Sequence, residues 1–201
     1  MFNRRKAEEW EVVGKARSYW EEFSLYHRQE KSEREPDLVT WRRPPPGWVK
    51  VNVDAAVLKG EGTGMGMIIR DSEGVFLRAA VRRERKCWPP EIAEIKAVEF
   101  GLKHLEMSGH RQAVVETDCQ QVVHALRSKS QTRLEAGPLI SEMQATAQRL
   151  GSIRWDFVKR NGNEPAHTMA HTRCNWEEEE CWDTRPPIVI LNSLEKEARA
   201  S

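Results

Sequence analysis

Val49-Lys-Val-Asn-Val-Asp-Ala-Ala-Val57 alternates apolar and other residues in steps of two, the period of a half-covered β-strand. Val51, Val53 and Ala55 share one face, which leaves Asp54 on the other with Asn52 and Ala56. An acid in mid-strand opposes β propensity and needs a reason, unless that face is simply open to water. Outward from this strand, residues 64–70 and 75–83 read as two further strands joined by a turn at Asp71 to Gly74. Residues 89–107 open on two prolines, run through helix formers and stop at Gly109, which predicts a long helix. A short strand at 112–118 leads into a helix at 119–128, a second helix at 138–151, a strand at 153–160 and a last helix over 163–171. That order, three strands, helix, strand, two helices, strand, helix, predicts an α/β fold with a mixed sheet flanked by helices.

Two more acids stand where packing or chain geometry calls for an explanation. On the long helix Glu94 shares a face with Ala97, Val98, Gly101 and Leu105, whereas Glu99 lines up with Lys103 and Glu106 on a charged face. A carboxylate on the packing side is costly unless it is paired, protonated or metal-bound; at the solvent edge of the stripe the cost disappears. Asp118 closes one strand and opens the next helix, where α/β sheets place ligands and where an N-cap also belongs. With the helix packed beside the first strand, Asp54, Glu94 and Asp118 converge. Three carboxylates suit Mg²⁺ or Mn²⁺, and two such ions suit phosphodiester hydrolysis. No Ser/His/Asp set or GxxxxGK[ST] loop competes, and the glycines of residues 60–66 precede no helix.

The remaining composition narrows the class. Charges balance, 32 Lys+Arg against 31 Asp+Glu, and mean hydropathy is −0.70, so any surface for nucleic acid is local. No apolar run reaches the ~20 residues that span a bilayer, and the start lacks the apolar core of a secretory signal, which implies a soluble intracellular protein, cytoplasmic or nuclear. Cys87, Cys119, Cys174 and Cys181 have no CxxC spacing and read as reduced thiols. Residues 1–47 read as an aromatic-striped helix (5–32) and a Pro-rich linker, residues 48–173 as the compact domain, and residues 174–201, with Glu177 to Glu180, as an acidic tail able to dock one short extended piece.

The blocks VKVNVDAAV, GMGMIIRDSEGVFL, EIAEIKAVEFGL, VVETDCQQVVHAL and VKRNGNEPAHTMA, in that order from about Trp48 to His171, resemble the ribonuclease H type 1 superfamily. They are most similar to plant ribonuclease H-like domains related to the reverse transcriptases of non-LTR retroelements. The resemblance implies a ribonuclease H-like fold, a five-stranded sheet of three antiparallel and two parallel strands, and cleavage of the RNA strand of an RNA/DNA hybrid. It assigns Asp54, Glu94 and Asp118 as metal ligands for Mg²⁺ or Mn²⁺, two ions in an active enzyme. Small-molecule substrates and membranes have no place in this reading.

The fourth catalytic position of that superfamily, an Asp on the first turn of the last helix, corresponds here to His167. An imidazole supplies one negative charge fewer and is a poorer ligand for Mg²⁺ than for Mn²⁺. This opens an alternative, a catalytically weak or inactive nucleic-acid-binding module derived from a retroelement. His167 also reads as a surface residue, or with His171, Cys174 and Cys181 as part of a zinc site. Lys159, Arg160, Asn161 and Asn163, just ahead of it, are the candidate contacts to a hybrid's phosphates and 2′-hydroxyls, with Arg82, Arg83, Arg85 and Lys86 a second basic cluster. Asn52 and Glu116, two residues before Asp54 and Asp118, are candidates to orient those acids.

Overall fold

The structure is a computed structural model that describes residues 41–58, 60–128, 136–175 and 177–200. The helix expected over residues 5–32 lies outside these. Strands β1 (Val49–Leu58), β2 (Gly62–Arg70) and β3 (Phe76–Glu84) form an antiparallel meander. Asp71 closes the second hairpin, its Oδ1 accepting from the backbone N–H of Glu73 and of Val75, with Gly74 at φ +83° where a side chain would be strained. Helix α1 (Pro90–Met107) then crosses to β4 (Gln112–Thr117), which lies parallel to β1. Helices α2 (Gln120–Arg127) and α3 (Gly137–Leu150) precede β5 (Ser152–Phe157), parallel to β4. A 3₁₀ turn at Arg160–Gly162 leads into α4 (Glu164–His171).

The five expected strands are present, and a sixth is added. Residues 174–201, expected as an acidic tail, supply β6 (Glu179–Trp182), which pairs antiparallel with β3, and α5 (Ile188–Ala200). The sheet order is therefore β5-β4-β1-β2-β3-β6. Glu180 is exposed and Glu179 is half-buried with Lys103 Nζ on its Oε2, so the strand tolerates its acids while its backbone covers the open edge of β3. The start of the domain shifts as well: Trp41, within the expected linker, is buried and donates its indole N–H to Asn52 Oδ1.

Both faces of the sheet are covered. Val51, Val53, Met65, Met67 and Ile69 pack with Val98, Leu102 and Leu105 of α1 and with Ile140 and Met143 of α3. On the opposite face Ile68, Ala79 and Val81 pack with Ala166 and Met169 of α4 and Ile190 of α5. This second layer explains why Asp54 is only 1% exposed, although its strand face reads as polar. Trp155 packs against the first core, as its place in an alternating strand suggests. No helix among the described residues is long and apolar enough to cross a membrane.

Glycine sets the approach of α4. A Cβ on Gly66 would stand 2.2 Å from the backbone nitrogen of Ala170 and 2.6 Å from the carbonyl oxygen of Ala166. Backbone cannot yield as a side-chain tip can, so Gly66→Ala is expected to push α4 outward and cost about 1–3 kcal/mol. A urea titration checks the size, and a loss below a few tenths of that would contradict such close packing.

Candidate active site

Parallel pairing of β1 with β4 ends at Asn52 and Glu116, and each strand then carries an acid two residues further on, Asp54 and Asp118. The strands part there and the side chains gain room to turn toward one another. Glu94 enters from the first turns of α1, on the helix face that meets β1: the position of Gly101 on that face is so close that a Cβ would lie 2.5 Å from Val53 Cγ1. One carboxylate oxygen each of Asp54, Glu94 and Asp118 lies within 4.8 Å of the others. The three acids singled out by strand and helix periodicity are thus brought together.

Burial and charge repulsion act in the same direction on Glu94 and Asp118. Burial foremost, then Asp54 and Asp118, pushes the Glu94 carboxyl up to about 9. Burial and then Asp54, with which it shares a hydrogen bond, pushes Asp118 up to about 6. Without a cation the cluster holds protons that free carboxylates release, and an all-oxygen donor set at this spacing is what a hard divalent ion would accept. The residues therefore fit Mg²⁺ or Mn²⁺.

A raised carboxyl pKa works against stability as pH rises. Below the unfolded value of about 4.3 Glu94 is protonated in both states and contributes nothing. Between there and about 9 the folded state binds the extra proton, so stability falls with pH across that window. Glu94→Gln removes this dependence and, in EDTA, is expected to stabilise the protein by about 1–3 kcal/mol at pH 8 relative to pH 5. Urea midpoints at the two pH values decide it; an unchanged pH dependence would contradict a strained cluster.

His167 lies on the first turn of α4, its Nδ1 2.6 Å from Asp54 Oδ2. Nη2 of Arg160 is 2.8 Å from the imidazole nitrogens. Because the carboxylate accepts, Nδ1 carries the proton toward Asp54, and the guanidinium lies against the ring. Arg160 also reaches Asp118 Oδ2 at 3.3 Å, so one guanidinium joins the histidine to the second acid. Sequence placed Arg160 on the nucleic acid; the structure puts it at the acid cluster, with 60% of its side chain exposed. His171 stacks edge-on to His167, yet Cys174 and Cys181 do not join them. Among the described residues the groups able to hold a metal are Asp54–Glu94–Asp118 and His104–Glu179–Cys181, which removes the zinc reading of His167.

The remaining expected contacts divide by burial. Lys159 is exposed and Asn161 half-buried. Asn163 is wholly buried, a correction to its expected role on the surface: its amide donates to the carbonyl of Val53, and Asn52 donates to its Oδ1. Asn163 thereby fixes the start of α4 against β1 and aims His167 at Asp54. Asn52 also donates to Glu116 Oε2, while Lys50 Nζ lies 2.5 Å from Glu116 Oε1. These two residues, expected to orient the acids, belong to a buried polar network beneath the site rather than touching the acids themselves. Of the other basic cluster Arg83 is buried, and Trp88 is covered by Lys86 and donates to Glu84.

Residues 52–173 match the family described as reverse transcriptase-like. The chain belongs to that family. Solved structures similar to this reverse transcriptase-like domain include RNase H1 from the archaeon Halobacterium salinarum, at 19% identity over 61% of this chain and 94% of that one, with a TM-score of 0.53. The N-terminal RNase H domain of a Mycobacterium tuberculosis protein matches at 20% identity over 61% and 90%, TM-score 0.53. LC11-RNase H1 in complex with an RNA/DNA hybrid matches at 16% identity over 60% and 92%, TM-score 0.54. At these identities the likeness is one of fold, which makes the domain ribonuclease H-like. A search of curated proteins gives no match.

Proposed function

We propose that this reverse transcriptase-like domain binds RNA/DNA hybrids and hydrolyses the RNA strand with divalent cations held by Asp54, Glu94 and Asp118. The observation that carries the reading is the convergence of three carboxylates from β1, α1 and the end of β4 to within 4.8 Å in a ribonuclease H-like fold. Mg²⁺ or Mn²⁺, when bound, supplies an activated water and neutralises charge on the leaving 3′ oxygen. Asp54 is held in one orientation by the Nδ1–H of His167. Arg160 and Lys159, on the turn ahead of α4, offer cations to the phosphates, and Asn161 a polar group to the 2′-hydroxyls.

A second reading, a nucleic-acid-binding module of weak or absent activity, is favoured by one contact. His167 brings no carboxylate to the cluster and occupies Asp54 Oδ2, an oxygen a cation would otherwise use. His167→Asp separates the two. On the enzyme reading the natural protein cleaves a labelled hybrid, better in Mn²⁺ than in Mg²⁺, and His167→Asp raises the Mg²⁺ rate by about tenfold or more, ~1.4 kcal/mol of barrier. Cleavage gained only on substitution establishes the binding module. Equal Mg²⁺ rates for the natural protein, His167→Asp and His167→Ala would contradict any part for this residue in the metal site.

A further inference from the structure

On α1, away from the acid cluster, His104 is fully buried, with Nε2 3.2 Å from Oε1 of Glu179 on β6. The separation is that of an ion pair, yet neither ring nitrogen completes a hydrogen bond among the described residues, because the N–H direction misses the oxygen. An unpaired buried polar group costs on the order of 1–3 kcal/mol, so this imidazole lacks something. Cys181, on the same face of β6 as Glu179, places its Sγ 3.5 Å from that same Oε1. Lys103 holds the other oxygen, Oε2, at 2.8 Å, and so turns Oε1 toward the histidine and the thiol. One ligand atom from each of His104, Glu179 and Cys181 lies within 4.8 Å of the others.

We propose that His104, Glu179 and Cys181 form a second metal site, for a borderline-soft divalent cation of the Zn²⁺ class, which fastens β6 to α1. Nitrogen, carboxylate and sulfur together suit zinc, whereas Mg²⁺ takes oxygen alone. The Nε2–Oε1 and Sγ–Oε1 separations of 3.2 and 3.5 Å are close to the ligand–ligand edges of about 3.3–3.7 Å in a tetrahedron with zinc bond lengths. Asp183, next on that face of the chain, is held by Arg78 Nε at 2.5 Å and stays outside the set, which leaves the fourth position to water. Binding transfers the Cys181 thiol proton to solvent and leaves the thiolate on the ion, with no change of oxidation state. The site would tie the C-terminal segment to the helix that carries Glu94, and its occupancy is independent of whether the acid cluster hydrolyses a hybrid.

The test titrates the full EDTA-treated chain with Co²⁺ and then Zn²⁺. The expected result is a thiolate-to-cobalt charge-transfer absorption that saturates at one ion per chain and is displaced by Zn²⁺, with a rise in Tm on zinc binding. Cys181→Ser, at an exposed position, should abolish the absorption and weaken Zn²⁺ binding by about tenfold or more. Asp54→Asn should leave both unchanged, which separates this site from the acid cluster. His104→Gln provides a second variant, read by circular dichroism for retention of fold and expected to lose the absorption. Absence of the band in the natural protein, or a band that survives Cys181→Ser, overturns the proposal.

Discussion

Asp54→Asn is expected to lower hybrid cleavage by at least about 10²–10³-fold, ~3–4 kcal/mol of barrier, while leaving the fold and hybrid binding within a few-fold of the natural protein. The side chain is 1% exposed and central: Glu94, Asp118 and His167 all interact with it. An amide keeps the volume and can still accept from His167 Nδ1–H, so packing survives. It removes the negative charge that raises Glu94 and Asp118, so in EDTA the variant should be no less stable than the natural protein. Rates from a labelled RNA strand, read beside filter binding of the same hybrid and a thermal melt, separate chemistry from folding. Loss of cleavage accompanied by a comparable loss of binding or of Tm would contradict a metal-holding role for Asp54.

Glu197→Ala is expected to destabilise the domain by about 3–5 kcal/mol. Glu197 on α5 is 2% exposed and pairs with Arg70 at the end of β2, itself 2% exposed. Arg70 also donates to Asn52 Oδ1 at 3.0 Å and lies over the Trp41 ring at 3.7 Å. Burial dominates both partners, raising Glu197 and lowering Arg70, and each charge offsets that effect on the other. Truncating the acid strands a guanidinium beneath α5. Replacing both, as Arg70→Met with Glu197→Leu, should recover most of the loss, because no buried charge is then left unpaired. Chemical denaturation of the three variants checks this, and a single-variant loss under about 1 kcal/mol would contradict the account of how α5 is held.

The acid cluster was legible because each acid violates a local rule. Asp54 interrupts a strand, Glu94 sits among small apolar residues on a helix face, and Asp118 ends a strand; periodicity fixes the faces of the first two and chain order the place of the third. The contribution of residues 174–201 was hidden for the opposite reason. The run Glu177 to Glu180 looks like a solvated segment, because composition does not show that an edge strand can leave Glu180 in water and pair Glu179 with Lys103 while its backbone pairs with β3. In α5 the spacing of Ile190, Leu194 and Glu197 at helical steps was the available signal, but the partner of Glu197 lies 127 residues earlier. Side-chain direction at the 3₁₀ turn was equally out of reach: Arg160 turns to Asp118 and His167, and Asn163 turns inward to Val53. Trp41 was obscured by the prolines that follow it, which read as linker although the indole is fixed on Asn52.

Metal-dependent hydrolysis of RNA paired with DNA, at a site formed by Asp54, Glu94 and Asp118, is the proposed activity. Its most direct test incubates the purified chain with a hybrid labelled in turn on each strand, in Mg²⁺, in Mn²⁺ and in EDTA, and reads the products. The RNA strand alone is expected to be cut, leaving a 3′-hydroxyl, with Mn²⁺ the better ion and EDTA abolishing the reaction. Cleavage that persists in EDTA, or an intact RNA strand in both metal ions at protein concentrations that saturate the hybrid, would contradict it.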